Sequence, residues 1–290
     1  MTVRYSLHHI SDKDNCPFDE SAYSLFKFGD TSYAAQFGEE LFDGFIAAHK
    51  DLVLGQEEIV ILPSPFLTLP TASNYLCMHF KKHLNRFLAA NGKKACSESK
   101  IYRNQTYTED YGNLDYEQRV QLIANDTYYI DRTFIANKCC IFIDDIKITG
   151  SHEFTVNRIL QQYQAEGTFC FVYFAELQNR DIHPSIENHY NYFAVKDTED
   201  IIRVIRKPAF RFNTRVVKYI LGAAPEAFLE INSHFSQAQR EELLDLATGN
   251  NYHLIAKYNS NLETLKNILW QSTCKKDKER LSALQNSLSD

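Results

Sequence analysis

The sequence lacks the features that mark secreted and membrane-spanning proteins. Its seven cysteines are odd in number and form no Cys-x-x-Cys pair, which indicates reduced thiols rather than a disulfide framework. The first residues contain no cationic stretch leading into an apolar segment, and no run approaches the roughly 20 apolar residues that a membrane-spanning helix needs. These absences predict a cytoplasmic protein that does not enter a membrane.

Positive charge is also scarce. The chain carries 31 Lys and Arg against 37 Asp and Glu, a net charge of −6, and its basic residues are scattered rather than gathered in a stripe. Binding to nucleic acid depends on clustered cations that neutralise backbone phosphates. A nucleic acid is therefore not a favoured partner.

The composition is that of an ordinary globular protein. Of the 290 residues, 44% are hydrophobic and 23% are charged. A chain of this length buries roughly 75% of the surface that its unfolded form exposes, so it can build a sizeable core in one or two domains. Disorder of the whole chain is not expected.

Strand and helix patterns alternate between about residues 57 and 175, which predicts a parallel sheet with crossover helices. The predicted strands are residues 59–62, 101–106, 138–143 and 168–175. The predicted helices are residues 32–49, 71–90, 115–125 and 152–165, and a strand-like segment at 23–30 precedes the first. The last of these helices should turn Phe154, Leu160 and Tyr163 inward and end at Gly167.

The character of the sequence changes after the last predicted strand. Ser-x-x-Gln at residues 236–239 and Ser-x-x-Glu at residues 260–263 fit the capping box, in which two side chains satisfy backbone donors at a helix start. Two helices are therefore predicted to begin there, the first ending at Gly249. We divide the chain into an α/β domain at residues 1–185 and a mostly helical region at residues 186–290.

Residues 140–152, CIFIDDIKITGSH, carry the clearest chemical signal in the chain. A buried strand leads to two adjacent acids, Asp144 and Asp145, at the strand end and outside the core, where α/β sheets bind ligands. Two carboxylates there can accept hydrogen bonds from vicinal ribose hydroxyls. The following turn opens a helix whose positive end can hold a phosphate, and Gly150 lets the backbone come close to it.

This segment resembles the signature of type I phosphoribosyltransferases, which is an apolar strand, two acids and a phosphate loop containing Thr-Gly. The spacing of Leu114 and Arg119 ahead of it is similar to that in the competence-protein-F-like branch, whose usual zinc ribbon the sequence lacks. The resemblance covers about residues 23–177. It implies an α/β fold: a phosphoribosyltransferase-type parallel sheet flanked by helices, here followed by a mostly helical C-terminal region.

The resemblance also implies a role for each part of the site. Asp144 and Asp145 would bracket the 2- and 3-hydroxyls of 5-phosphoribosyl-1-pyrophosphate (PRPP), and the loop after them would hold its 5-phosphate. That loop consists of Lys147, Ile148, Thr149, Gly150, Ser151 and His152. The segment at 59–71 would face the pyrophosphate.

The segment at 102–119 would form a flap over the ligand, on which Arg103 or Arg119 could neutralise the leaving group. Arg119 joins the two acids as the predicted catalytic set. Magnesium is the implied cofactor. It would bridge the diphosphate and ribose oxygens and be held mainly by the ligand and water, since Mg²⁺ seldom uses an all-protein cage.

The sequence departs from the family pattern at three places. Ile148 stands where purine-using members carry an acidic base, so purine salvage is disfavoured. His152 replaces a common hydroxyl residue. The loop at 63–68 lacks the glycines or basic residue usual at the pyrophosphate site, and Ser64 and Thr68 are its only obvious polar substitutes.

Two functions remain open at this stage. The first is a magnesium-dependent phosphoribosyltransferase that uses an unidentified nitrogenous acceptor and releases pyrophosphate. The second is a non-catalytic sensor that binds PRPP or a nucleotide and signals through the helical region. The weak pyrophosphate loop favours the sensor, whereas a long flap with two arginines favours the enzyme, because only a catalyst must exclude water. A homodimer is compatible with the sequence.

Overall fold

The computed structural model of the protein describes residues 1–103 and 128–287, with side chains for all of these except residue 103 and residues 272–287. The strands it shows are β1 Thr2–Ile10, β2 Ile59–Pro63, β3 Ser97–Glu98, β4 Tyr102–Arg103, β5 Tyr128–Tyr129, β6 Lys138–Lys147 and β7 Gly167–Leu177. The helices are α1 Glu20–Lys27, α2 Thr31–Leu54, α3 Ala72–Ala90, α4 Arg132–Ile135, α5 Ser151–Gln162, α6 Ile186–Asn191, α7 Thr198–Ile205, α8 Thr214–Leu221, α9 Pro225–Ser233, α10 Gln237–Gly249 and α11 Ala256–Ser287. The predicted helix at 115–125 and the end of the predicted strand at 101–106 lie outside the described residues.

One parallel sheet organises the first part of the chain. Its strands stand in the order β1-β7-β6-β2-β3, and β4 pairs with β5 in a separate antiparallel ribbon. Helices α1 to α3 pack on one face of the sheet, and α4 and α5 pack on the other. Strands covered on both faces read as continuous apolar runs, which is why β2, β6 and β7 could be predicted. The predicted α/β fold class is confirmed.

Strand β6 continues past its predicted end at Ile143 to Lys147, because Lys147 is still in register with Glu176 of β7. Side chains alternate between the two faces along a strand. The two adjacent acids, Asp144 and Asp145, therefore belong to the strand itself and point to opposite faces of the sheet.

Two elements near the N-terminus differ from the prediction. Most of the segment at 23–30 belongs to helix α1, whose first turn is capped by the Asp19 carboxylate, so the predicted strand is wrong. Tyr23 and Phe26, three residues apart on one helical face, are both buried. Strand β1 is not among the predicted elements; it lies at the sheet edge, paired with β7.

The helix after β6 is shorter than predicted. α5 ends at Gln162, and Gly167 begins β7 instead of ending the helix. Leu160 is buried and Tyr163 is partly buried, but Phe154 is 53% exposed, so its predicted inward position is wrong. The residues through which α5 packs on the sheet are Val156, Ile159 and Leu160.

From residue 186 to residue 287 the described chain is mostly helical; α6 packs on the core of the α/β part through Ile186 and Tyr190, and α7 to α11 surround a core of their own. That core also takes in Phe28 and Leu69 from the α/β part. The predicted capping box at Ser236 is confirmed and Gly249 ends its helix, whereas Ser260 lies inside α11 and starts no helix. The domain boundary near residue 185 stays a prediction.

Two expectations from composition can be compared with the described residues. Each of the six cysteines whose side chains are described is a free thiol. Within residues 1–103 and 128–287, no helix has both the length and the apolar character that crossing a membrane requires.

Candidate functional site

A cavity of about 550 Å³ lies at the carboxyl ends of β2 and β6. One side of it is formed by residues 144–153 and by Ser64, which lie at and after the ends of these two strands. The other side is formed by helices α8 and α11 of the C-terminal region. The cavity thus brings together both acids, Ser64 and every residue of the predicted phosphate loop.

Asp144 is held at the cavity by three neighbours. The Ser64 hydroxyl donates to Asp144 Oδ1 over 2.7 Å, and the backbone amide of Asp145 donates to the same oxygen over 2.9 Å. His152 Nδ1 lies 3.5 Å from Asp144 Oδ2. Burial alone would raise the pKa of Asp144, but the His152 and Ser64 contacts outweigh it and hold that pKa below its usual range. Asp144 is therefore a carboxylate at neutral pH.

Asp145 has a different environment. It is only 5% exposed, and its Oδ2 accepts hydrogen bonds from the Lys27 ammonium and, over 2.8 Å, from the Tyr23 hydroxyl. Burial raises the pKa of Asp145, and the Lys27 charge opposes this shift. The expectation that both acids lie outside the core is wrong for Asp145, because the alternation of β6 turns it toward α1.

The predicted phosphate loop leads directly into helix α5, as expected from the sequence. Gly150 adopts the left-handed conformation, with φ +75°, directly before the first residue of α5. The Thr149 and Ser151 hydroxyls lie 3.1 Å apart beside that helix start. The first N–H groups of a helix have no partner within it and carry positive partial charge, so this turn can bind an anion.

The ammonium group of Lys147 is committed to carboxylates. It lies 3.0 Å from Glu153 and 2.9 Å from Glu176. Burial alone would lower the pKa of Lys147, but these two contacts outweigh burial and raise that pKa. Arg4 and Tyr173 also contact Glu153, at 2.5 Å and 3.0 Å. In this loop, backbone amides and hydroxyls are the groups suited to hold a phosphate.

Ser64 belongs to a chain of hydroxyl groups that ends at Asp144. The Ser73 hydroxyl donates to Ser64 over 2.7 Å, and the Thr71 hydroxyl lies 2.8 Å from that of Ser73. All three line the cavity. The chain orients Asp144 from the side opposite His152.

Thr68, a predicted ligand contact, does not line the cavity, and the side chains of Arg103 and Arg119 are not among those that the structure describes. Thr68 donates its hydroxyl to the Gly249 carbonyl over 2.9 Å and so ties its loop to the helical region. The backbone of Arg103 pairs with Tyr128 in the β4–β5 ribbon. Arg119 lies outside the described residues, so its role on a flap stays a prediction.

The sequence did not predict that the C-terminal helical region lines the cavity; we call its lining residues on α8 and α11 the helical wall. Arg215, Lys218 and Tyr219 of α8 line the cavity, as do Lys257 and Tyr258 at the start of α11. These residues follow ordinary amphipathic helix patterns, in which Lys and Arg are expected on the solvent-exposed face of the helix. Only their position across the cavity from residues 144–153 distinguishes them.

The described residues offer magnesium a single well-placed carboxylate. Among them, no group of three or more His, Cys, Asp or Glu side chains is arranged to hold a metal ion. Asp144 faces the cavity, whereas Asp145 is engaged by Lys27. This donor set would suit a Mg²⁺ held mainly by ligand and water, for which Asp144 would supply the protein oxygen.

Replacing Gly150 with Val is expected to abolish binding of a sugar phosphate, since a side chain would enter the close approach of backbone and anion. The left-handed backbone should also cost about 1–2 kcal/mol of stability. Gly92→Val is the matched control, because Gly92 has φ +71° with nothing within 4 Å of an added Cβ. Calorimetric titration with ribose 5-phosphate should separate the two variants, and equal affinities would show that Gly150 is only a turn residue.

Comparison with known proteins bears on this site. The family model described as PRTase ComF-like matches residues 1–265. No curated protein matches the sequence.

Similar solved structures include a hypoxanthine phosphoribosyltransferase from Staphylococcus aureus, 9% identical, with 50% of this chain and 76% of that chain covered and a TM-score of 0.31. A hypoxanthine-guanine phosphoribosyltransferase from Bacillus anthracis is 13% identical over 51% of this chain and 79% of its own, with a TM-score of 0.30. An adenine phosphoribosyltransferase is 14% identical over 49% and 70% of the two chains, with a TM-score of 0.30.

Proposed function

Because the chain belongs to the family of ComF-like phosphoribosyltransferases, we propose that it binds PRPP in this cavity and transfers phosphoribose to a nitrogenous acceptor, releasing pyrophosphate. The observation that carries the proposal is the juxtaposition of the Gly150 turn at the start of α5 with the carboxylate of Asp144. An anion site and a hydroxyl acceptor at one strand end suit a ribose 5-phosphate group.

The two acids take different roles in this proposal. Asp144 accepts hydrogen bonds from the ribose hydroxyls, because it faces the cavity and is ionised. Asp145 positions Asp144: its amide donates to Asp144 Oδ1, and its own carboxylate is fixed by Lys27 and Tyr23. Holding the ribose in one orientation is the main way in which an enzyme can assist such a transfer.

Charge stabilisation supplies the rest of the chemistry. Pyrophosphate would leave the anomeric carbon through a state with oxocarbenium character, and the carboxylate of Asp144, which lines the cavity, would stabilise that positive charge. When bound, Mg²⁺ would neutralise the negative charge that develops on the leaving diphosphate.

A non-catalytic sensor for PRPP or a nucleotide is the second candidate. Two observations favour it: the loop at 63–68 carries no basic residue, and Thr68 in that loop is committed to Gly249. A sensor needs the phosphate turn and the ribose contact but no leaving-group site. Binding by itself therefore does not separate the two functions.

The melting temperature in the presence of magnesium and one ligand at a time is the first test. A ligand at about a hundred times its dissociation constant stabilises the folded state by about 2.7 kcal/mol. In a chain of this size we expect PRPP to raise the midpoint by roughly 5 to 10 °C, and ribose 5-phosphate by less. Near-equal rises would favour the sensor. A rise with ATP or NAD but with neither sugar phosphate would contradict the proposal.

A further inference from the structure

The loop between β2 and α3 returns to the cavity at both of its ends. Ser64 lines the cavity where the loop begins, and Thr71 and Ser73 line it where α3 begins. The Ser73 hydroxyl donates to Ser64 over 2.7 Å, and the Ser64 hydroxyl donates to Asp144 over 2.7 Å. The two ends of the loop therefore meet beside the carboxylate on which the proposed ribose contact depends.

The middle of the same loop is held by the end of helix α10. Asn250, which directly follows that helix, accepts hydrogen bonds at Oδ1 from the backbone amides of Thr68, over 3.1 Å, and Leu69, over 2.9 Å. Asn250 and Leu69 are both buried. A buried donor that loses its acceptor is costly, so this one side chain fixes the path of two successive loop residues.

A glycine allows the helix and the loop to lie this close together. The Gly249 carbonyl accepts the Thr68 hydroxyl over 2.9 Å, and a Cβ added to Gly249 would lie 2.7 Å from Thr68 Cγ2. A contact that short forces one of the two groups to move. The lack of a side chain at Gly249 therefore helps to set the position of the loop.

Two prolines stiffen the loop between its held middle and the cavity. Pro65 and Pro70 stand on either side of the residues that Asn250 binds, and each ring locks φ at about −65°. The Pro70 carbonyl also accepts a hydrogen bond from the Thr214 amide of α8 over 2.8 Å. A displacement of the middle of the loop is therefore passed on to Ser64 instead of being absorbed within the loop.

We propose that Asn250 is a positioning residue for the ligand site. It holds the loop so that Ser64 fixes the carboxylate of Asp144 in the orientation that a ribose requires. Asn250 does not line the cavity, so it acts only through the loop. The inference rests on the proposed function in one respect, which is that the ribose lies at Asp144. It gives the C-terminal region a task in binding besides forming a wall of the cavity.

Calorimetric titration of ribose 5-phosphate tests this role. Asn250→Ala removes the acceptor and is expected to weaken binding roughly fivefold, a change of the size that residues outside a site can impose on it. Hydrogen exchange at the Thr68 and Leu69 amides should become faster in the same variant, because the loop opens more often. Asn91→Ala is the matched control: Asn91 also follows the end of a helix, but it is exposed and its side chain bonds to the Phe87 carbonyl of its own helix.

A second pair of variants separates the position of the loop from the stability of the helix. Gly249→Ala should push Thr68 aside and weaken ribose 5-phosphate binding by a similar factor, although alanine favours a helix more than glycine does. Adding Thr68→Ser removes the Cγ2 methyl that the new side chain would meet and keeps the hydroxyl that bonds to the Gly249 carbonyl. The double variant should therefore recover most of the affinity. If Asn250→Ala does not fold, this pair decides the question.

Three results would overturn the role of Asn250. They are wild-type affinity in Asn250→Ala despite faster exchange at Thr68 and Leu69, weaker binding without faster exchange there, and no recovery of affinity in Gly249→Ala/Thr68→Ser. Failure of ribose 5-phosphate to bind the wild type would contradict the proposed function and this role with it. Wild-type binding that Asn250→Ala leaves unchanged would contradict the role of Asn250 alone, so the two failures are distinguishable.

Discussion

Replacing Lys27 with Met is expected to destabilise the protein by about 3–5 kcal/mol, because it leaves the Asp145 carboxylate buried without its counter-charge. The side chains of Lys27 and Asp145 are 12% and 7% exposed, and Tyr23 is the neutral donor that would remain. Breaking a buried ion pair lowers the free energy of unfolding far more than breaking a surface pair does. The melting temperature should fall by roughly 6 to 20 °C.

Two further variants show whether the charge is the cause. Lys81→Met removes a lysine that pairs with Glu98 at 2.6 Å, with side chains 29% and 53% exposed, and should cost less than about 1 kcal/mol. Adding Asp145→Asn to Lys27→Met removes the unpaired charge and should restore much of the lost stability. A melting temperature for Lys27→Met close to that of Lys81→Met would show that Asp145 is not the buried anion described above.

The central strands could be predicted from the sequence because the pattern that marks each strand lies within its own segment. β2, β6 and β7 are covered on both faces, so the side chains along the middle of each strand are apolar and the pattern there is continuous. Strand β1 pairs on one side only and mixes Arg4, Ser6, His8 and His9 with apolar residues, so neither a continuous run nor a clean alternation marks it. The segment at 23–30 is strand-like in sequence, but most of it is helical, because Tyr23 and Phe26 pack at helical spacing.

The residues of the candidate site also differ in whether the sequence could identify them. The turn from Thr149 to Ser151 is a local structure, so its glycine and hydroxyls could be identified from their order in the chain. The Lys27–Asp145 pair joins residues 118 positions apart, and the helical wall contributes cations more than 60 positions beyond the turn. Contacts of this kind depend on how the elements pack, which no single segment encodes.

Replacing Asp144 with Asn is expected to weaken binding of ribose 5-phosphate by roughly ten- to a hundredfold. The reason is the loss of charge: a hydrogen bond to an ionised group contributes about 1.5–3 kcal/mol, and the asparagine oxygen is a weaker acceptor for the ribose hydroxyls. The amide is nearly the same size, and its oxygen can still accept from Ser64 and from the Asp145 amide. The melting temperature without ligand should therefore fall only by the share that the charged contact with His152 contributes.

Asp145→Asn is the matched comparison, one residue along the same strand. It removes the charge that Lys27 compensates, so it should alter stability more than it alters affinity for ribose 5-phosphate. Calorimetric titration and thermal melting of both variants together give the answer. If the two substitutions weakened binding equally and left melting unchanged, both acids would bracket the ribose, and the Lys27–Asp145 pair would have to open when the ligand binds. If neither changed the affinity, the ribose would not lie at the end of β6, and the cavity would hold its ligand through the turn at Gly150 and the helical wall alone.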